Sequence, residues 1–208
     1  MSFDRVARIY RWLETFVFGN QLQQARLAFP GEIDSPGRVL VVGEGDGRFL
    51  AEFVRLHPHS TVDCIEASGA MLRLAQARAE FPGVNFIHQD ANESVLERES
   101  YDLIVTHFVL DCFNERTLSR LIEKLCHAAA PSSRWLIADF CEPPTGWRRW
   151  WARFLIAIMY QFFRCVAGIE ATRLVDFAPF LRLGGFTLRK QVFSPNEMIR
   201  SQLWARCA

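Results

Sequence analysis

The stretch that most constrains what this chain can fold into runs from Arg38 to Leu50, RVLVVGEGDGRFL. Val39, Leu40, Val41 and Val42 are consecutive apolar residues, the pattern of a strand buried on both faces at the centre of a parallel sheet. Gly43, Gly45 and Gly47 follow at once. Lacking a Cβ, glycines reach positive φ angles and let a backbone approach a ligand closely. Phe49, Leu50, Phe53, Val54 and Leu56 then take helical spacing. The glycines therefore join a strand to a helix N-terminus, where backbone N–H groups are free to meet a ligand.

The spacing narrows that ligand. A dinucleotide fingerprint, GxGxxG, carries its third glycine three residues after the second. Arg48 holds that position here, and the third glycine falls one residue earlier. Val62 to Ile65 form a second apolar strand ending in Glu66, nineteen positions after Gly47. A carboxylate there can accept both hydrogen bonds of a ribose diol. Strand, glycine turn, helix, strand and acid together make a nucleoside-binding half-sheet.

The remaining elements continue the alternation. Ser68 is the expected N-cap of a helix through Met71, Leu72, Leu74, Ala75 and Ala79, stopping before Pro82. Val84 to Ile87 and Tyr101 to Thr106 are the next strands, separated by a polar connection that opens with DANE at 90–93. Asn114 begins a helix carrying Leu118, Leu121, Ile122, Leu125 and Ala129, which ends before Pro131. Trp135 to Ala138 is a fifth strand ending at Asp139. Arg173 to Leu183 reads as a helix closed by Gly184 and Gly185. Phe186 to Phe193 and Glu197 to Ala205 read as a hairpin turning at Ser-Pro-Asn.

This pattern resembles the class I, Rossmann-like S-adenosylmethionine-dependent methyltransferases, of the small-molecule type found in ubiquinone and menaquinone biosynthesis. The resemblance rests on VLVVGEGDGRFL at 39–50, VDCIEASGAML at 62–72, HQDANE at 88–93 and YDLIVTHFVLDCF at 101–113. It implies an α/β three-layer sandwich: a mostly parallel seven-stranded sheet, a C-terminal antiparallel hairpin, N-terminal helices and a helical insertion after the fifth strand. It also implies S-adenosylmethionine as cofactor and S-adenosylhomocysteine as product. On this reading Gly43, Glu44, Gly45 and Gly47 lie under the methionine part and Glu66 holds the ribose, with Ala67 and Met71 beside it. Asp90 and Ala91 meet the adenine, and His107 stands at the cofactor side of the fourth strand's end. The family often carries an acid two positions before its first glycine, where this chain has Val41; Glu44 is the substitute for that charge near the cofactor's amino group. The missing acid leaves open a second class of function, a catalytically inactive cofactor-binding or scaffold protein of the same fold.

The chain of 208 residues, half of them hydrophobic, is long enough for one domain with a substantial core. A net charge of +1 provides no field for nucleic acid. The six cysteines form no CxxC pair and no short Cys/His spacing, so no metal site is expected and the thiols read as reduced residues of a cytoplasmic protein. No GxSxG elbow supports a hydrolase.

Two segments fall outside the alternation. Residues 1–37 form a cap, with Phe3, Val6, Ile9, Tyr10, Leu13, Phe16 and Val17 at helical spacing before PGEIDSPG breaks the helix. The resemblance places Tyr10 near the cofactor; the alternative is an ordinary core aromatic. Residues 142–172 carry WRRWWARFLIAIMYQFFRCVAGI, too short and too interrupted by arginines to span a membrane. The helix expected at 147–166 is a lid over an apolar substrate, a peripheral membrane contact, or a homodimer interface.

Methyl transfer from a sulfonium needs alignment and exclusion of water more than covalent help, and a base only where the acceptor must lose a proton. His107 is the best-placed base, or else a structural histidine at the strand end. Asp139 and Asp111 stand at the same sheet edge, as bases or as partners of a helix or arginine. Tyr160 in the insertion reaches the pocket or packs in the core. The acceptor expected is a small, apolar or aromatic molecule.

Overall fold

The computed structural model describes residues 20–79, 81–143, 150, 171 and 173–206. Tyr10, Tyr160 and all of the 147–166 stretch except Trp150 lie outside the described residues, so the cap and lid expectations are not addressed by it. Seven strands form one sheet: β1 (Arg38–Val42), β2 (Thr61–Glu66), β3 (Val84–His88), β4 (Tyr101–His107), β5 (Ala129–Phe140), β6 (Phe186–Phe193) and β7 (Ile199–Arg206). Their order is β3-β2-β1-β4-β5-β7-β6. β1 to β5 pair in parallel, and β7 runs antiparallel to both β5 and β6. Among the described residues, the helices fully traced are α1 (Gln21–Arg26), α2 (Arg48–Leu56), α3 (Gly69–Arg78), α4 (Glu115–Ala128) and α5 (Ala178–Leu183). The expected mostly parallel sheet with a closing antiparallel hairpin is the one observed.

Alternation along β1 divides its side chains between two cores. Val39 and Val41 pack with Val62, Leu103 and Val105 against Phe49, Leu50 and Phe53 of α2. Leu40 and Val42 pack with Ile65 and Ile104 against Leu118, Leu121, Ile122 and Leu125 of α4 and Leu181 of α5. Both sides of the sheet are therefore covered, as a parallel sheet requires. Trp135 and Trp204 are fully buried in the second core, and each indole N–H finds an acceptor: Thr106 Oγ1 at 2.9 Å and Gln202 Oε1 at 3.0 Å.

The helix starts are chemically marked. Ser68 Oγ accepts from Met71 N–H at 3.2 Å, and Asn114 Oδ1 accepts from Arg116 and Thr117 N–H at 3.0 Å each. Ser68 is the N-cap expected from the sequence, and Asn114, where a helix was expected to begin, caps it in the same way.

Three boundaries differ from expectation. The helix read at 173–183 begins only at Ala178, because Pro179 is tolerated in a first turn but not inside a helix, and Asp176 Oδ1 takes the Ala178 N–H at 3.2 Å. β5 begins at Ala129 rather than Trp135: Tyr101 faces Ala129 but Leu103 faces Arg134, so the chain around Pro131 bulges out of the ladder. β7 begins at Ile199 rather than Glu197, since Asn196 Oδ1 accepts from Met198 N–H at 3.2 Å and Glu197 takes a left-handed φ of 57° to complete the turn.

Strand order reverses between β1, flanked by β2, and β4, flanked by β5. Open α/β sheets bind ligands at the carboxyl ends of their strands at such a switch point.

Candidate active site

The three glycines after β1 have φ angles of +67°, +72° and +84°. Two of them make room for protein. A Cβ on Gly43 would collide with the Val109 side chain, and one on Gly47 would lie 2.6 Å from Ala75 Cα in α3. Gly45 differs, with no atom within 4 Å of the place its Cβ would take. Its bare face is the part of the turn open to a ligand.

Glu66, at the end of β2, is buried and ties this turn to the next. Its Oε2 accepts from Gly45 N–H at 3.0 Å and its Oε1 from Ser68 N–H at 2.8 Å. Burial raises its pKa, and the two backbone donors oppose that rise. Each carboxylate oxygen keeps a second lone pair, so the group can still accept from a vicinal diol. Ala67 lies between the two contacts, its carbonyl 3.2 Å from His88 Nε2, and Met71 sits in the first turn of α3.

Glu44 points into the protein. Its Oε1 accepts from Leu50 N–H at 2.9 Å in the first turn of α2, and burial pushes its pKa up to about 8 against the opposing charge of Arg26. The carboxyl anchors the glycine turn to the helix it precedes. Beyond β3, Asp90 Oδ1 accepts from the backbone and side chain of Asn92 at 2.9 and 3.0 Å. Lys124 of α4 donates to the carbonyls of Ala91 and Asn92 at 2.8 and 3.0 Å, which fixes the 90–92 backbone beside Glu66's strand.

The two candidate bases share a sheet edge and differ in face. His107 is buried on the α2 side, its ring edge-on to Phe49 at 4.6 Å between centroids. Burial, helped by Arg26, holds the imidazole well below its ordinary pKa, so it is neutral at physiological pH. Its Nδ1 has no partner among the described residues. Asp139 follows Trp135 and Ile137 on the opposite face, beside Asp111 in the short turn Leu110–Cys112. Between the two candidates, Phe108 takes a φ of 57°, unusual for an aromatic residue, with the Arg26 guanidinium 5.0 Å from its ring centroid and Phe140 packed at 5.2 Å.

Arg26, Lys124 and Arg200 were not singled out from sequence. Arg200 stands opposite Asp139 across the β5–β7 pair, a relation only the register reveals. Asp111 and Asp139 border a cavity of about 320 Å³ at the carboxyl ends of β4 and β5. Among the described residues, no group of three His, Cys, Asp or Glu side chains is arranged for a metal ion.

Known proteins place this geometry in a class. Residues 39–132 match the family model of a methyltransferase domain. A malonyl-[acyl-carrier protein] O-methyltransferase of Halalkalibacterium halodurans is 32% identical over 88 residues, 40% of this chain and 32% of that protein. A demethylmenaquinone methyltransferase of Chlamydia pneumoniae is 28% identical over 102 residues, 48% of this chain and 42% of that protein. The chain thus matches well under half the length of these relatives. The structure of Burkholderia thailandensis 1,6-didemethyltoxoflavin-N1-methyltransferase, with 1,6-didemethyltoxoflavin and S-adenosylhomocysteine bound, superposes with a TM-score of 0.68 at 16% identity, covering 99% of this chain and 86% of that one. The chain has the Rossmann-like fold of these methyltransferases, and residues 39–132 are the part that is similar to the methyltransferase-domain family.

Proposed function

We propose that the protein is a single-domain S-adenosylmethionine-dependent methyltransferase acting on a small molecule, apolar or aromatic over most of its body. The observation that carries the reading is the Glu66 carboxylate bonded to Gly45 N–H at 3.0 Å, at the switch point of the sheet and beside the one glycine of the turn whose Cβ position is open. A Cβ at Gly45 would fill a cradle that a nucleoside thioether needs. When bound, the cofactor supplies an activated methyl group on a sulfonium with a neutral leaving group.

This chain's own residues provide position. Glu66 accepts from the ribose hydroxyls, while the 90–92 backbone, braced by Lys124, offers its edge to the adenine. The glycine turn, anchored by Glu44 on α2, fixes where the methionine portion lies. Its neutral state and apolar packing support a positioning role for His107 under the cofactor side of β4. The cavity past β4 and β5, walled in part by Phe140 and Phe177, is the acceptor's place. Orientation in a water-poor site is the main catalytic contribution.

Four described cysteines are free and no described helix is long and apolar enough to cross a membrane, which supports a cytoplasmic reading. The test is thermal melting with S-adenosylhomocysteine and, separately, with NADH. A rise with the first alone is the expected result. No rise with either moves the protein to the scaffold class, and a rise with NADH alone makes it a dinucleotide protein.

A further inference from the structure

We propose that His88 is a positioning residue for the cofactor's ribose: through the peptide group between Ala67 and Ser68 it fixes the Glu66 carboxylate that accepts the diol. This rests on the methyltransferase reading and deepens it.

His88 opens the HQDANE stretch at the end of β3, and register sets it beside Glu66, the last residue of β2. Its Nε2 lies 3.2 Å from the Ala67 carbonyl oxygen. A carbonyl only accepts, so Nε2 carries the hydrogen and donates. The carbonyl of Ala67 and the N–H of Ser68 belong to one peptide group, which is planar, so neither turns without the other. That N–H donates to Glu66 Oε1 at 2.8 Å. Imidazole, peptide and carboxylate therefore form one line of hydrogen bonds, in which holding the first member orients the last. Each bond in such a chain also polarises the next.

The first residue of α3 is an independent sign of the same arrangement. A Cβ on Gly69 would lie 3.1 Å from His88 Cε1 and 3.4 Å from its Nε2. Gly69 is not among the glycines with positive φ, so no backbone conformation calls for it. Alanine is the better helix former, and the space glycine leaves here is taken by the ring. The end of β2 does not depend on His88, because Gln89 N–H meets the Glu66 carbonyl at 3.2 Å. What His88 adds is the direction of the next peptide. Burial raises the Glu66 pKa, the backbone donors lower it, and charge on His88 lowers it further, which favours the ionised form that accepts a diol.

The test is calorimetry with S-adenosylhomocysteine and its 2′-deoxyribose counterpart. His88→Phe keeps a ring and removes the donor; His88→Gln places an amide N–H at a similar reach. His88→Phe should bind S-adenosylhomocysteine about three- to tenfold more weakly, the worth of one hydrogen bond, and bind the deoxy compound as the wild type does. His88→Gln should restore most of the preference for ribose. Gly69→Ala, which displaces the ring, should lower that preference without lowering the melting temperature. The Ser68 amide proton reads the line of bonds with no cofactor present: its NMR resonance should move upfield in His88→Phe and return in His88→Gln. Wild-type affinity in His88→Phe, an equal loss for both compounds, no recovery in His88→Gln or an unmoved Ser68 resonance would overturn the proposal. Failure of the methyltransferase reading shows separately, as absence of S-adenosylhomocysteine binding to the wild type, and takes the ribose role with it.

Discussion

Glu66 Oε2 accepts the Gly45 N–H at 3.0 Å, so the end of β2 and the turn after β1 are joined by one side chain across twenty-one residues of sequence. The carboxylate is therefore already oriented before any ligand arrives. Its second oxygen is pinned by Ser68 N–H, which also starts α3. Preorganisation of this kind lowers the cost of ordering a binding site.

The glycines of the turn separate stability from binding. Gly47→Ala sets a Cβ 2.6 Å from Ala75 Cα at a φ of +84°, combining overpacking with left-handed strain. The expected loss is about 2–4 kcal/mol, read by chemical denaturation. Gly45→Ala meets no atom within 4 Å and should cost about 1–2 kcal/mol while cutting S-adenosylhomocysteine affinity more than Gly47→Ala does.

Glu44 predicts a slope of stability with pH. Its folded pKa of about 8 exceeds the unfolded carboxyl value, so the folded state binds the extra proton and stability falls as pH rises from about 4.5 towards 8. Glu44→Gln keeps an oxygen for Leu50 N–H and removes the proton. The variant should gain on the wild type steadily across that window in paired melts, and a constant difference would contradict the burial account.

His107 predicts the opposite limb. Its folded pKa lies below the unfolded value near 6.5, so the unfolded state binds the proton and stability is lost as pH falls through that value. His107→Leu should melt with a shallower loss below pH 6.5 than the wild type. If the two profiles run parallel, the imidazole is not held neutral by burial.

Trp135 tests the core behind the site. Its indole N–H reaches Thr106 Oγ1 at 2.9 Å in a fully buried setting. Trp135→Phe leaves that hydroxyl without its donor and opens a cavity, for an expected loss of about 2–4 kcal/mol in denaturant titration.

What could be read from sequence was local. The β1 run, the glycine turn, Glu66 and the N-caps Ser68 and Asn114 depend on neighbours within a few residues, and all appear where the pattern puts them. Relations set by pleat and register were not legible. His107 is the last residue of β4 and Asp139 the last but one of β5, at one edge of the sheet, yet the pleat turns them to opposite faces. Arg200 meets Asp139 only through the β5–β7 register, and Lys124 reaches Ala91 from a helix thirty-three residues away. The shortened helix at Ala178 was a matter of chemistry in plain view: Pro179 marks a first turn, and apolar spacing alone hid it.

The most direct test of the central claim is calorimetric titration of S-adenosylhomocysteine into wild-type protein and Glu66→Ala, with ligand-free melts of both as a check on folding. The account predicts binding to the wild type and a loss of about tenfold to a hundredfold in the variant, the worth of hydrogen bonds to a charged acceptor. Equal affinities in two folded proteins would contradict it, because the ribose would then not rest on Glu66.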